Sequence, residues 1–293
     1  MNLTRRVYDM PQLTLPQGAV HYREAGEGEP VVFLHGYLMD GRLWEPVVDR
    51  LTPGHRCVIP DLPLGSHRLP LDPGADLSLP GIARLVADLL TALDLRDVTL
   101  VGNDFGTAVA QIVAADHPER IGRLVLTGGE CFDNCPPAVF KPLVPAARVP
   151  GALTLILQAL RLRALRRLPS AYGLLTKRAL PHDLIDEWTA AFFADPAVRR
   201  DCAKVTRGFD PAPLLDAARK LASFDGPALI AFAPDDRLFP YEHGERLAAT
   251  IPSARLRAVP DSMTWVMRDQ PELISELIEE FIRTTHTRPV GQL

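Results

Sequence analysis

Leu100-Val101-Gly102-Asn103-Asp104-Phe105-Gly106 leads out of an apolar run and into a helical pattern through a G-x-D-x-G turn. Glycines on either side of the central residue permit a tight, strained elbow that lifts one side chain clear of a sheet and sets it at a helix N-terminus. A plainer alternative is a glycine-flanked turn in which Asp104 only caps the helix that follows. Outward from the turn, Val98 to Val101 is expected as a strand, Gly106 to Asp116 as a helix and Arg123 to Thr127 as the next strand.

The same alternation runs to both ends of the chain. Upstream lie short strands over Leu13 to Leu15 and Ala19 to Arg23, a buried strand Pro30 to Leu34, a helix near Leu43 to Leu51, a strand His55 to Pro60 and a helix Pro80 to Leu93. Downstream come strand Ala228 to Ala233, helix Glu242 to Ala249, strand Arg255 to Val259 and helix Glu272 to Thr284. Strands that alternate with helices imply an α/β fold with a mostly parallel central sheet flanked by helices. The interval from about Asn134 to Phe224 breaks the pattern, being helical, punctuated by prolines and poor in strand-like runs. It is expected to be a helical cap (134–224) inserted over the sheet's C-terminal edge, with 1–133 and 225–293 forming the core domain.

The chain has 293 residues, 47% hydrophobic and 23% charged, enough for a sizeable core. A formal net charge of -4 and a pI near 6.1 argue against a nucleic-acid partner and for a small-molecule substrate or ligand. Met1 to Met10 lacks the apolar run of a secretory signal, and the longest apolar stretch, Gly151 to Leu162, is too short to span a bilayer and contains Gln158 and Arg161. A cytoplasmic protein with no membrane partner is expected, its oligomeric state left open. Four cysteines, Cys57, Cys131, Cys135 and Cys202, lack paired metal-ligand spacing and read as reduced thiols. No metal or cofactor is expected.

Phe33-Leu34-His35-Gly36-Tyr37 ends an earlier strand in the H-G form that supplies a backbone donor beside the elbow, and in this order the chain resembles the α/β-hydrolase fold. Asp104 resembles the nucleophile of the haloalkane dehalogenase and epoxide hydrolase branch. The resemblance extends to Pro60-Asp61-Leu62-Pro63, similar to the family's D-L-P turn, and to His117-Pro118-Glu119-Arg120, similar to its H-P-E-R segment. It implies that Asp104 attacks carbon to give an alkyl ester, which water then hydrolyses while the N–H groups of Tyr37 and Phe105 hold the oxyanion. It further implies Asp236, in the loop Asp235 to Pro240, as the supporting acid, with Glu130 at an alternative acid position.

The chain departs from that family at the histidine. Met263-Thr264-Trp265 stands where the family has G-H-x, and Pro271 keeps the register, so Thr264 occupies the histidine's place. A displaced base would have to be His67, after the D-L-P turn, or else His35 or His243. Two further departures bear on substrate. Dehalogenases hold the leaving halide with tryptophan after the nucleophile and asparagine after H-G, where this chain has Phe105 and Tyr37. Epoxide opening needs an acid, and Tyr172 is the one tyrosine of the expected cap. Trp44, Trp188 and Trp265 are expected in the core or around the crevice. Arg161, Arg163, Arg166 and Arg167 interleave with Leu160, Leu162, Leu165 and Leu168, which reads as the solvated face of an amphipathic helix or as a site for an acidic ligand.

Three functions are compatible with these residues. The first is an aspartate-nucleophile hydrolase acting on a carbon–halogen, epoxide or related electrophile. The second is a lyase, isomerase or cyclase using Asp104 as acid or base. The third is a binder without turnover.

Overall fold

The computed structural model describes residues 10–285. Eight strands form one sheet in the order β1-β2-β4-β3-β5-β6-β7-β8. They are β1 (Gln12–Leu15), β2 (Gly18–Ala25), β3 (Glu29–Leu34), β4 (His55–Pro60), β5 (Val98–Asp104), β6 (Ile121–Gly129), β7 (Ala228–Phe232) and β8 (Ala254–Ala258). β2 pairs antiparallel with β1 and β4, and every pairing from β4 to β8 is parallel. All residues of β5 and β6 are buried, as expected of central parallel strands that helices cover on both faces.

The helices are α1 (Glu45–Leu51), α2 (Leu79–Ala92), α3 (Phe105–Asp116), α4 (Leu143–Ala146), α5 (Ala152–Leu157), α6 (His182–Ala194), α7 (Pro196–Arg207), α8 (Ala212–Leu221), α9 (Tyr241–Thr250), α10 (Val266–Asp269) and α11 (Pro271–Thr284). Ser78 caps α2 by accepting from the Gly81 N–H, and Asp195 caps α7 through the Ala197 N–H. Among the described residues no strand lies between β6 and β7, where the chain runs through helices α4 to α8 and short turns.

One element differs from expectation. The arginine–leucine stretch is not one amphipathic helix but two short 3-10 turns, Gln158–Arg161 and Arg163–Leu165, with extended backbone at Leu162 between them. Leu160 and Leu162 are two residues apart, a spacing that puts side chains on opposite sides of a helix. Leu160 is buried and Leu162 exposed, so the leucines do not form the single apolar stripe that a continuous helix would bury.

Candidate active site

β5 delivers Asp104 at the edge where the strand meets α3. Its backbone has φ 54° and ψ −131°, a region that costs a non-glycine residue on the order of 1–3 kcal/mol and persists only where the surroundings enforce it. They do so through close packing. A Cβ on Gly106 would strike the Leu34 backbone, and one on Gly36 would land on the Asp104 carboxylate itself.

Two backbone donors converge on one oxygen of that carboxylate: Asp104 Oδ1 accepts from the Phe105 N–H at 2.7 Å and the Tyr37 N–H at 3.1 Å. The bond to its own helix therefore does not occupy the carboxylate, since both bonds fall on Oδ1. Burial raises the Asp104 pKa and the two N–H bonds oppose that rise. The Tyr37 loop is braced from α7, for the Tyr37 hydroxyl meets Thr206 Oγ1 at 2.6 Å and Cys202 Sγ at 3.2 Å.

Asp104 and Glu130 open into one cavity of about 290 Å³. Its walls are mostly apolar and come largely from the segment between β6 and β7, with Val139, Leu160, Leu165, Leu175 and Phe209 among them, and with Phe239 from the loop after β7. Glu130 follows β6 directly and is buried, while Gln111 Nε2 donates to its backbone oxygen at 2.8 Å. Burial, with repulsion from Asp104 added, pushes the Glu130 carboxyl well above the usual range.

Asp236 sits in the loop after β7 with Oδ1 accepting from the N–H groups of Leu238 (2.9 Å) and Phe239 (3.1 Å). Burial raises its pKa to about 6, against the pull of those N–H groups and of Thr264, with the Asp104 charge adding to the rise. Thr264 is fully buried beside it. Thr264 lowers the Asp236 pKa as a side-chain hydrogen-bonding neighbour, yet neither Asp236 Oδ2 nor Thr264 Oγ1 makes a hydrogen bond of good geometry among the described residues. Asn103 holds this corner from below, Nδ2 donating to the Thr264 backbone oxygen at 2.7 Å and to Gly128 O at 3.0 Å.

The histidines stand elsewhere. His35 accepts the Leu62 N–H at Nε2 (2.9 Å), so its Nδ1 proton goes to Gly36 O (2.9 Å). Burial lowers its pKa to about 4, and this neutral ring ties the H-G loop to the D-L-P turn. His67 accepts the Gly65 N–H at Nδ1 (3.3 Å) and directs Nε2 toward Asp201 of α7, 3.4 Å away. His243 lines a separate surface depression with Asn134 and Arg237. No described histidine lines the cavity.

Tyr172 contributes its ring to the cavity wall, but its hydroxyl donates to Leu38 O at 2.8 Å. Trp265 does not reach the cavity. It packs behind Tyr172 and Trp188, at ring separations of 5.6 Å each. Trp44 is buried against Phe33, and Trp188 donates to Asp40 Oδ1 at 3.0 Å. Sequence reasoning missed Gln111, Thr206 and Phe209. Nothing in their local pattern marks them, because each acts by a contact distant in sequence.

Residues 29–269 match the family described as alpha/beta hydrolase fold. The chain is 24% identical over 274 residues to 2-hydroxy-6-oxo-6-phenylhexa-2,4-dienoate hydrolase of Burkholderia cepacia, covering 90% of this chain and 91% of that protein. It is 28% identical over 279 residues to a non-heme chloroperoxidase of Kitasatospora aureofaciens, covering 92% and 98% respectively. Among solved structures, a putative ancestral haloalkane dehalogenase superposes with a TM-score of 0.78 at 22% identity over 94% of this chain and 98% of that one. A thermophilic esterase of Thermogutta terrifontis gives 0.75 at 22% identity, over 95% and 100%. These structural likenesses establish the fold alone. A family match that runs from the start of β3 to the end of α10, across the whole frame carrying Asp104, Glu130 and Asp236, makes the chain a member of the α/β-hydrolase fold family.

Proposed function

We propose that this protein is a hydrolase with Asp104 as nucleophile, opening a small, largely apolar epoxide, with carboxyl groups doing the proton transfers for which its relatives by resemblance use an imidazole. We read 134–224 as the cap that closes the substrate cavity. The observation that carries the proposal is that both backbone donors engage Asp104 Oδ1, leaving Oδ2 of a cavity-lining residue to attack. The oxygen that becomes the ester carbonyl already sits in its oxyanion hole.

In the first step Asp104 Oδ2 bonds to a ring carbon, the ring C–O bond breaks, and the released alkoxide takes the Glu130 proton. In the second, water adds to the ester carbon and gives a proton to Asp236, while negative charge gathers on Oδ1. Collapse breaks the ester C–O bond and the departing oxygen takes the proton from Asp236, giving a diol. The carboxyl proton left on Asp104 restores Glu130. A base with a pKa of about 6 is mostly ionised at neutral pH, near the optimum for proton abstraction. A water held between Thr264 Oγ1 and Asp236 Oδ2 would relay the proton and supply the partners those atoms lack. Halide release has less support, because Phe105 offers no side-chain donor to a leaving halide.

A second reading draws on the same carboxylates. With Asp104 ionised and Glu130 protonated, the two carboxyls would also serve as a base and an acid facing one cavity, which suits a non-hydrolytic isomerase or cyclase. Styrene oxide followed by intact-protein and peptide mass spectrometry separates the two. An ester should add the epoxide's mass to the peptide containing Asp104. Glu130→Gln should slow its formation, and Asp236→Asn should slow its decay, each by about 10²–10⁴-fold. Isomerised product without any adduct would replace the hydrolase reading with the second.

A further inference from the structure

We infer that the mouth of the cavity docks on the surface of a bilayer containing anionic lipid and takes an apolar substrate directly from it. Two features coincide in the stretch of chain that supplies part of the cavity wall. Of the six large apolar side chains exposed among the described residues, five, Val149, Leu155, Ile156, Leu162 and Leu168, fall within one twenty-residue stretch, with Leu155 75% and Leu162 60% exposed. The same part of the chain is strongly cationic although the protein as a whole is acidic. From Cys135 to His182 there are eight lysines and arginines and no aspartate or glutamate.

Part of that charge is neutralised from outside the stretch: Arg166 pairs with Asp186, Arg163 reaches Asp183 and Asp186, and Lys177 reaches Asp235 and Asp261. Lys141, Arg148, Arg161, Arg167 and Arg178 make no ion pair among the described residues. Exposed apolar side chains interspersed along the chain with cations that make no ion pair, of which Arg161 lies over the Phe193 ring at 4.5 Å, are the chemistry of an interfacial segment, in which hydrocarbon enters the acyl boundary and arginine meets lipid phosphate.

A bilayer fits better than an acidic protein because the exposed apolar rim continues into the cavity. Ile156 and Leu168 are at once exposed at the surface and part of the cavity wall. A docked protein would plug that opening, whereas acyl chains extend its apolar path inward. Docking differs from spanning, and no helix among the described residues is long and apolar enough to cross a membrane.

The test is flotation of the whole protein with phosphatidylcholine vesicles, with and without phosphatidylglycerol. Two variants avoid the cavity wall: Arg148→Glu with Arg167→Glu, and Leu155→Ser with Leu162→Ser. Binding is expected only to the vesicles containing phosphatidylglycerol, weakening with added salt. Each double variant should lose about tenfold or more in partitioning, while its circular dichroism and thermal midpoint stay those of the parent. Absence of binding to anionic vesicles at low salt would overturn the inference. So would charge-reversed protein that stays off vesicles while the leucine variant binds as the parent does, since a purely electrostatic face fits an acidic soluble partner instead.

Discussion

Asp236 is the residue at which function and stability pull in opposite directions. Its pKa is raised from 3.8 to about 6, so the folded protein holds this proton more tightly than the unfolded chain does. The resulting penalty is absent below about pH 3.8, grows as pH rises and is complete above about pH 6, where it amounts to about 3 kcal/mol at most. Asp236→Asn keeps an oxygen for the Leu238 and Phe239 N–H groups and removes the charge. Chemical denaturation should therefore find the variant more stable than the parent by about 1–3 kcal/mol above pH 6, with the gain fading toward pH 4. An equal difference at all pH values would mean that the carboxyl is not perturbed. Sequence made Asp104 visible through its flanking glycines, while Glu130, Asp236 and Thr264 were singled out only by the resemblance to the α/β-hydrolase family. The upward shift of the Glu130 pKa was not visible, since it follows from burial in walls supplied largely by residues dozens of positions away.

The elbow is the element on which the proposed chemistry turns, and its geometry leaves no room. Gly36→Ala would put a methyl group on the Asp104 carboxylate, displacing Oδ1 from the Tyr37 and Phe105 donors. The rate of ester formation should fall by about 10²-fold or more while the far-ultraviolet spectrum is retained; a rate within threefold of the parent would show that the carboxylate position is not critical. Tyr172 gives the contrasting case. Its hydroxyl is engaged by Leu38 O, so Tyr172→Phe should cost about 1 kcal/mol of stability and leave ester formation within a few-fold. A large loss of rate would return the acid role to Tyr172. The core elements were legible because parallel strands are unbroken apolar runs and the helices between them keep a regular period. The stretch from Gln158 to Leu168 was not, because its arginines and leucines share the composition of an amphipathic helix but not its spacing.

At the scale of the whole molecule, the mostly parallel sheet flanked by helices was deducible from the alternation along the chain, whereas the strand order and the placement of the histidines were not. His67 follows the D-L-P turn, none of whose residues lines the cavity, and the fold commits its ring to Gly65 and Asp201; only the packing of α7 against that turn decides this. Turnover through an ester of Asp104 without a cavity histidine is the proposed cycle, and one measurement reads all of it. A single turnover of styrene oxide, with protein in excess in heavy-oxygen water, is followed by mass analysis of both the diol and the peptide containing Asp104. The account predicts one heavy oxygen in the Asp104 carboxylate and none in the diol, because water attacks the ester carbon and the diol takes its new oxygen from the protein. Heavy oxygen in the diol with an unlabelled peptide would mean direct attack by water, and would contradict the central claim that Asp104 is the nucleophile.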